Sequence, residues 1–172
     1  MNGKKKQPTK RTNGVLPVLA GIVLLAAVAV TLLPGKSGGD STEAGTPLSA
    51  GSDLVIRAEE IGAEASYFDY DADGTTVQVL AVRATDDTVR LALNTCQVCN
   101  GSPYAYFVQE GNDFVCQNCH NRFSSTDVGR VSGGCNPVPI TAEDRTEKDG
   151  TITVLSSFLE DNAARFTNWK KF

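Results

Sequence analysis

Two short cysteine motifs constrain this chain more than anything else in it. Cys96-Gln-Val-Cys99 and Cys116-Gln-Asn-Cys119 stand sixteen residues apart. That separation falls within the spacing of a four-thiolate metal site built from two C-x-x-C turns. Each turn aims two sulfurs at one point, and two turns together complete a tetrahedron around a soft or borderline metal. The intervening residues suit the purpose. Tyr104–Val108 reads as a strand, Glu110–Asp113 as a turn and Phe114-Val115 as the returning strand, which brings the second cysteine turn back beside the first. All five cysteines and the only histidine lie between Asn94 and Pro139. The expected metal ligands are Cys96, Cys99, Cys116 and Cys119, with Cys135 and His120 as accessory metal or redox candidates. A pair of disulfides is the competing use of four such cysteines.

The N-terminus decides the compartment. Residues 1–14 carry Lys4, Lys5, Lys6, Lys10 and Arg11 and no acid. Residues 15–33 are uncharged and rich in Val, Leu, Ala and Ile. As a helix they would span roughly 28 Å, close to the thickness of a bilayer core. The apolar run is longer than that of a cleaved signal peptide, and Ala27-Val-Ala29 lies inside it. The reading is therefore an uncleaved single-pass anchor, with the basic tail in the cytoplasm and the remainder outside. Residues 34–52, rich in Gly, Ser, Thr and Pro, read as a flexible tether. The folded domain is expected over 53–172. Outside the basic tail, eleven basic residues face twenty acidic ones, which argues against nucleic acid as a partner.

Within the domain the pattern is mainly β. Tyr67–Tyr70 and Thr76–Arg83 flank the turn Asp71-Ala-Asp-Gly74, a hairpin signal. Asp69, Asp71, Asp73 and Gly74 also match the start of a calcium loop. Its bidentate Glu position holds Leu80, so an acidic hairpin turn is the better reading. Val89, Leu91 and Leu93 then alternate along a strand that runs into Cys96. Thr141–Gly150 reads as a polar loop and Thr151–Leu155 as the last strand. Ser157 with Glu160 reads as a capping box for a short C-terminal helix, whose stripe of Phe158, Leu159, Ala163, Phe166 and Trp169 packs on the sheet. The expected fold is a β meander carrying a zinc-ribbon-like two-knuckle site, with one membrane helix and a short terminal helix.

Four thiolates do not name their metal: zinc, single iron and iron–sulfur clusters all accept them. Cys116-Gln-Asn-Cys119-His120 is also a c-type haem attachment motif. The only methionine is Met1 and there is no second histidine, so a further axial ligand is missing. A thioredoxin-like role would need the motif at the start of a helix, whereas these cysteines sit in a hairpin context. No Ser-His-Asp set or carboxylate pair suggests an enzyme.

The combination of Cys96-x-x-Cys99, Tyr106, Gln109-Glu110-Gly111, Val115-Cys116-x-Asn118-Cys119 and Gly133-Gly134-Cys135-Asn136-Pro137 resembles the FtrD-like family over roughly 54–155. Its members are described as membrane iron–sulfur proteins. The resemblance implies iron or an iron–sulfur centre on the cysteines. It also implies electron transfer or iron handling in an uptake system that includes an iron permease. His120 departs from the family pattern, and a single membrane segment means that any transport role needs a partner. The alternative from the residues alone is a structural zinc module that binds a partner without redox chemistry.

Overall fold

The structure, a computed structural model, describes residues 48–170. The expected basic tail, the membrane anchor and most of the tether lie outside the described residues. Among the described residues no helix is long and apolar enough to cross a membrane.

A five-stranded sheet forms the centre. Strands β1 (Leu48–Ser49), β3 (Ser66–Ala72), β4 (Thr75–Arg83), β5 (Val89–Cys96) and β9 (Pro137–Pro139) lie in that order. β3–β4 and β4–β5 are antiparallel hairpins. The first closes through Asp73 and Gly74, both in left-handed conformation at φ 48° and 87°, as the Asp-Gly pair leads one to expect. Asp71 accepts the Gly74 N–H at 2.6 Å and Asp69 accepts from Gln78 at 2.5 Å, so these acids are used in an ordinary hairpin. β1, from within the stretch read as tether, runs parallel to β3 at the sheet edge.

β4 alternates Val77, Val79 and Ala81 with Gln78, Leu80 and Val82, and all six are buried. Both faces of the sheet are covered, by different partners. On one face Val77, Val79, Ala81, Val89, Leu91 and Leu93 form the larger core. They pack against a second sheet of β10 (Arg145–Lys148), β11 (Thr151–Val154) and β2 (Leu54–Arg57), and against the C-terminal helix α1 (Ser156–Asp161). On the other face Leu80, Val82 and Ala92 meet a third sheet, β6 (Phe107–Glu110), β7 (Asp113–Cys116) and β8 (Arg122–Ser124). Phe107, Phe114 and Phe123 fill that smaller core, together with Cys96 and Cys116 themselves.

Three expectations are corrected. Thr141–Gly150 is not all loop: Arg145–Lys148 pairs with β11 through an Asp149-Gly150 turn. This strand is mostly exposed, so it carries no apolar alternation. The first strand of the cysteine insert starts at Phe107 rather than Tyr104. The turn after Cys99 uses Ser102 and Pro103, and Ala105 donates to the Ser102 carbonyl at 3.2 Å. Ser157 and Glu160 form no capping box. The Glu160 carboxylate accepts from Tyr70 Oη at 2.9 Å and from the Gly51 N–H at 2.8 Å. The Ser156 N–H at the helix start is held instead by Asp53, from another strand's approach, at 2.9 Å. The stripe itself packs as expected, with Leu159 and Phe166 buried and Phe158, Ala163 and Trp169 against the same core.

Gly129 brings the chain after β8 against β5. It has φ 70°, and a Cβ there would sit 2.6 Å from the Leu91 carbonyl oxygen. Left-handed backbone costs a non-glycine residue roughly 1–2 kcal/mol, and the backbone carbonyl has no flexible end to yield. Gly129→Ala is expected to lower stability by about 2 kcal/mol or more, read as a fall in urea midpoint at constant m.

Candidate metal centre

Two strands end in cysteines. β5 delivers Cys96 and β7 delivers Cys116, and both side chains are fully buried. The Cys96 N–H donates to Ala105 O at 2.7 Å and the Cys116 N–H donates to Asn121 O at 3.0 Å, so each cysteine is fixed by the backbone on both sides. The chain then turns sharply to present Cys99, half buried, and Cys119, exposed. The four sulfurs lie within 4.8 Å of one another. The site therefore has an inner pair set in the small core and an outer pair towards solvent.

Backbone N–H groups point at the sulfurs in a repeated pattern. Cys96 accepts from Val98 and Cys99, and Cys116 accepts from Asn118 and Cys119. Cys119 accepts from the Asn121 N–H. Cys99 instead accepts from the side chain of Asn118. Ser102 Oγ donates to Asn118 Oδ1 at 2.6 Å, which turns the amide nitrogen of Asn118 towards Cys99. The two knuckles are thus tied to each other by one side chain.

The hydrogen bond between Cys96 and Cys116 separates their acidities. It holds the Cys116 thiol well below the usual thiol range, with the backbone N–H donors adding to the effect. As donor, Cys96 is pushed well up, and burial adds to it. Burial also raises Cys99 and Cys119, against the N–H groups they accept. Such a cage releases several protons when a cation enters, because the ligands are thiolates.

The size of the cage suits a single tetrahedral ion. Points no more than 4.8 Å apart have a centre at most about 2.9 Å from each, so a small contraction reaches the metal–sulfur bond of roughly 2.3 Å. One ion, iron or zinc, fits the four sulfurs. A multi-iron cluster puts its thiolates on separate metals with sulfides between them, and would need the four sulfurs further apart than they stand here.

Among the described residues Cys96, Cys99, Cys116 and Cys119 are the converging set, and neither Cys135 nor His120 is in it. His120 is exposed and left-handed at φ 59°, and its N–H donates to Cys116 O at 2.9 Å. It closes the second knuckle by its backbone. Cys135 lies next to the site, with its thiol in hydrogen-bonding contact with Cys119. The sequence did not single out Asn94, Gln97, Ser102 or Asn121 as contributing to the site. Their signal was only that each is a polar residue within three positions of a cysteine.

The fold and the site together define a β protein with a two-knuckle tetrathiolate centre. Residues 61–166 match the family described as membrane iron-sulfur containing protein FtrD-like, and the chain belongs to that family. No match is found among curated proteins or among solved structures. The family-pattern residues outside the site serve as braces. Gln109 holds the insert to the main body by accepting from the Ala65 N–H at 2.6 Å and donating to Ala63 O at 2.8 Å. Tyr106 stacks edge-on against Trp169 at 6.0 Å.

Asn118 offers a direct test of the N–H···S pattern. A donor on a thiolate stabilises the more negative, reduced state of a bound iron. A hydrogen bond contributing about 1 kcal/mol corresponds to roughly 40 mV for one electron. Asn118→Ala is expected to lower the midpoint potential of the iron-loaded protein by about that amount, measured by redox titration, with Ser102→Ala giving a smaller fall in the same direction.

Proposed function

We propose that this chain is a membrane-anchored, extracytoplasmic iron protein that carries one iron on Cys96, Cys99, Cys116 and Cys119. In this reading it works as an electron-transfer or iron-handling component of an iron-uptake system, beside an iron permease or another uptake component. The observation that carries the reading is the convergence of four sulfurs within 4.8 Å. The family description supports membrane association and iron. The basic residues before 15 and the uncharged stretch 15–33 support an anchor with its N-terminus inside. Bound there, iron would supply one-electron chemistry between its ferrous and ferric states. The protein's part is to fix four thiolates, to direct N–H groups at them and to leave the Cys99 and Cys119 side open to a donor or acceptor.

Anaerobic loading with ferrous iron tests this. One iron per chain with thiolate charge-transfer bands, bleached on reduction and restored on oxidation, is the expected result. A colourless protein that holds one zinc and refuses iron would make the domain a structural zinc module. A Soret band would assign Cys116, Cys119 and His120 to haem.

A further inference from the structure

The fifth cysteine is placed with more care than a packing residue needs. Gly133 and Gly134, at φ 90° and 64°, shape the loop that carries Cys135. Gln97 of the first knuckle grips this loop three times. Its Oε1 accepts the Gly133 N–H at 3.0 Å, its N–H donates to Asn136 O at 3.0 Å, and its Nε2 donates to Pro137 O at 3.0 Å. Asn121, just after the second knuckle, donates from Nδ2 to the Cys135 carbonyl at 3.0 Å. The loop is thus fastened to both knuckles. Its thiol packs against the small core and contacts Cys119, the exposed corner of the four.

We infer that Cys135 is an exchange ligand: it replaces Cys119 on a bound divalent ion and so opens the outer corner of the site for metal transfer. This rests on the tetrathiolate reading above. The exchange balances without an oxidant. One metal–sulfur bond to Cys119 breaks and one to Cys135 forms, and the proton that Cys135 loses as it binds the ion is taken up by the released Cys119 sulfur. Four thiolates remain on the metal and the charge of the site is unchanged. Cys119, freed at the surface, is then the sulfur that a thiol or carboxylate acceptor of the same ion meets first. Cys96 and Cys116 are enclosed, and Cys99 is held by Asn118.

Cobalt(II) titration of the full chain under anaerobic conditions tests the exchange, because thiolate-to-cobalt absorption grows with the number of sulfurs bound. Cys119→Ser is expected to keep one cobalt with four-thiolate intensity and an affinity within tenfold of the unsubstituted chain. Cys119→Ser with Cys135→Ser should fall to three-thiolate intensity and lose 100-fold or more, as should Cys99→Ser alone. If Cys119→Ser falls as far as the double variant, Cys135 is no ligand and the inference is overturned. Failure of the unsubstituted chain to bind would overturn the tetrathiolate reading instead. Kinetics give a second measurement that does not depend on altering the four. Cys135→Ser is expected to slow zinc transfer to an excess of chromophoric chelator tenfold or more, and an unchanged rate would refute the exchange route.

Discussion

Serine in place of Cys96 or Cys116 is expected to abolish one-to-one metal binding and to unfold the cysteine lobe while the rest of the domain stays folded. Each is a ligand and a fully buried member of the small core, at 0% exposure. Losing even a group that only supports a ligand costs about 10–100-fold in metal affinity; losing an inner ligand should exceed that. Binding free energy in small tetrathiolate sites is largely folding free energy, on the order of 10 kcal/mol. The three short strands β6–β8 close only a small core, so the cost falls mainly on them. The larger core, from Leu54 and Val77 to Leu159 and Phe166, draws on none of the four cysteines. Metal analysis should show loss of the bound ion. Amide exchange should show lost protection across 97–128 with protection kept in β3, β4 and β11. A Cys96→Ser/Cys116→Ser chain that still bound one ion with the original affinity would refute a shared site.

The convergence of the four cysteines was legible in the sequence because its signal is local: two C-x-x-C turns at a ribbon's spacing, with a hairpin between. The β3–β4 hairpin was legible for the same reason, since Asp73-Gly74 dictates its turn. Features that depend on distant partners were not. Nothing in Gln78-Leu80-Val82 says that this face of β4 is covered, because what covers it is the insert after Cys99. Arg145–Lys148 looks like loop because an exposed edge strand needs no apolar face. Glu160 looks like half of a capping box until Tyr70 and Gly51 claim it from across the fold. His120 invites a chemical reading through its side chain, and its backbone also closes a turn. For Glu160 and for this face of β4 the fold supplied a remote partner that spacing along the chain does not announce.

Asn94 joins the two parts of the fold, and its replacement is expected to have the second-largest effect. It follows Leu93 on β5, the partner of Val79 on β4, and the neighbouring Gln78 stands opposite Asp69 on β3. The three side chains form a polar ladder across the central sheet: Gln78 donates to Asp69 at 2.5 Å and Asn94 donates to Gln78 at 2.8 Å. The ladder ends on the insert, where Asn94 Oδ1 accepts the Phe107 N–H at 2.8 Å. Asn94 and Gln78 are each 2% exposed, so water cannot replace a lost partner. Asn94→Leu nearly preserves volume but strands the Phe107 N–H and the Gln78 carbonyl oxygen. Each unsatisfied buried group costs about 1–3 kcal/mol, so a loss of roughly 3–5 kcal/mol is expected from urea unfolding. Phe107 pairs directly with Cys116 across β6 and β7, so the loosened anchor should also release bound metal faster to a chelator. Adding Gln78→Met removes one stranded group, and is expected to recover about 1 kcal/mol of stability. It should not restore the slow metal release, because Phe107 stays unheld. If the single variant lost stability without faster release, Asn94 would support the central sheet alone and the metal lobe would be anchored elsewhere.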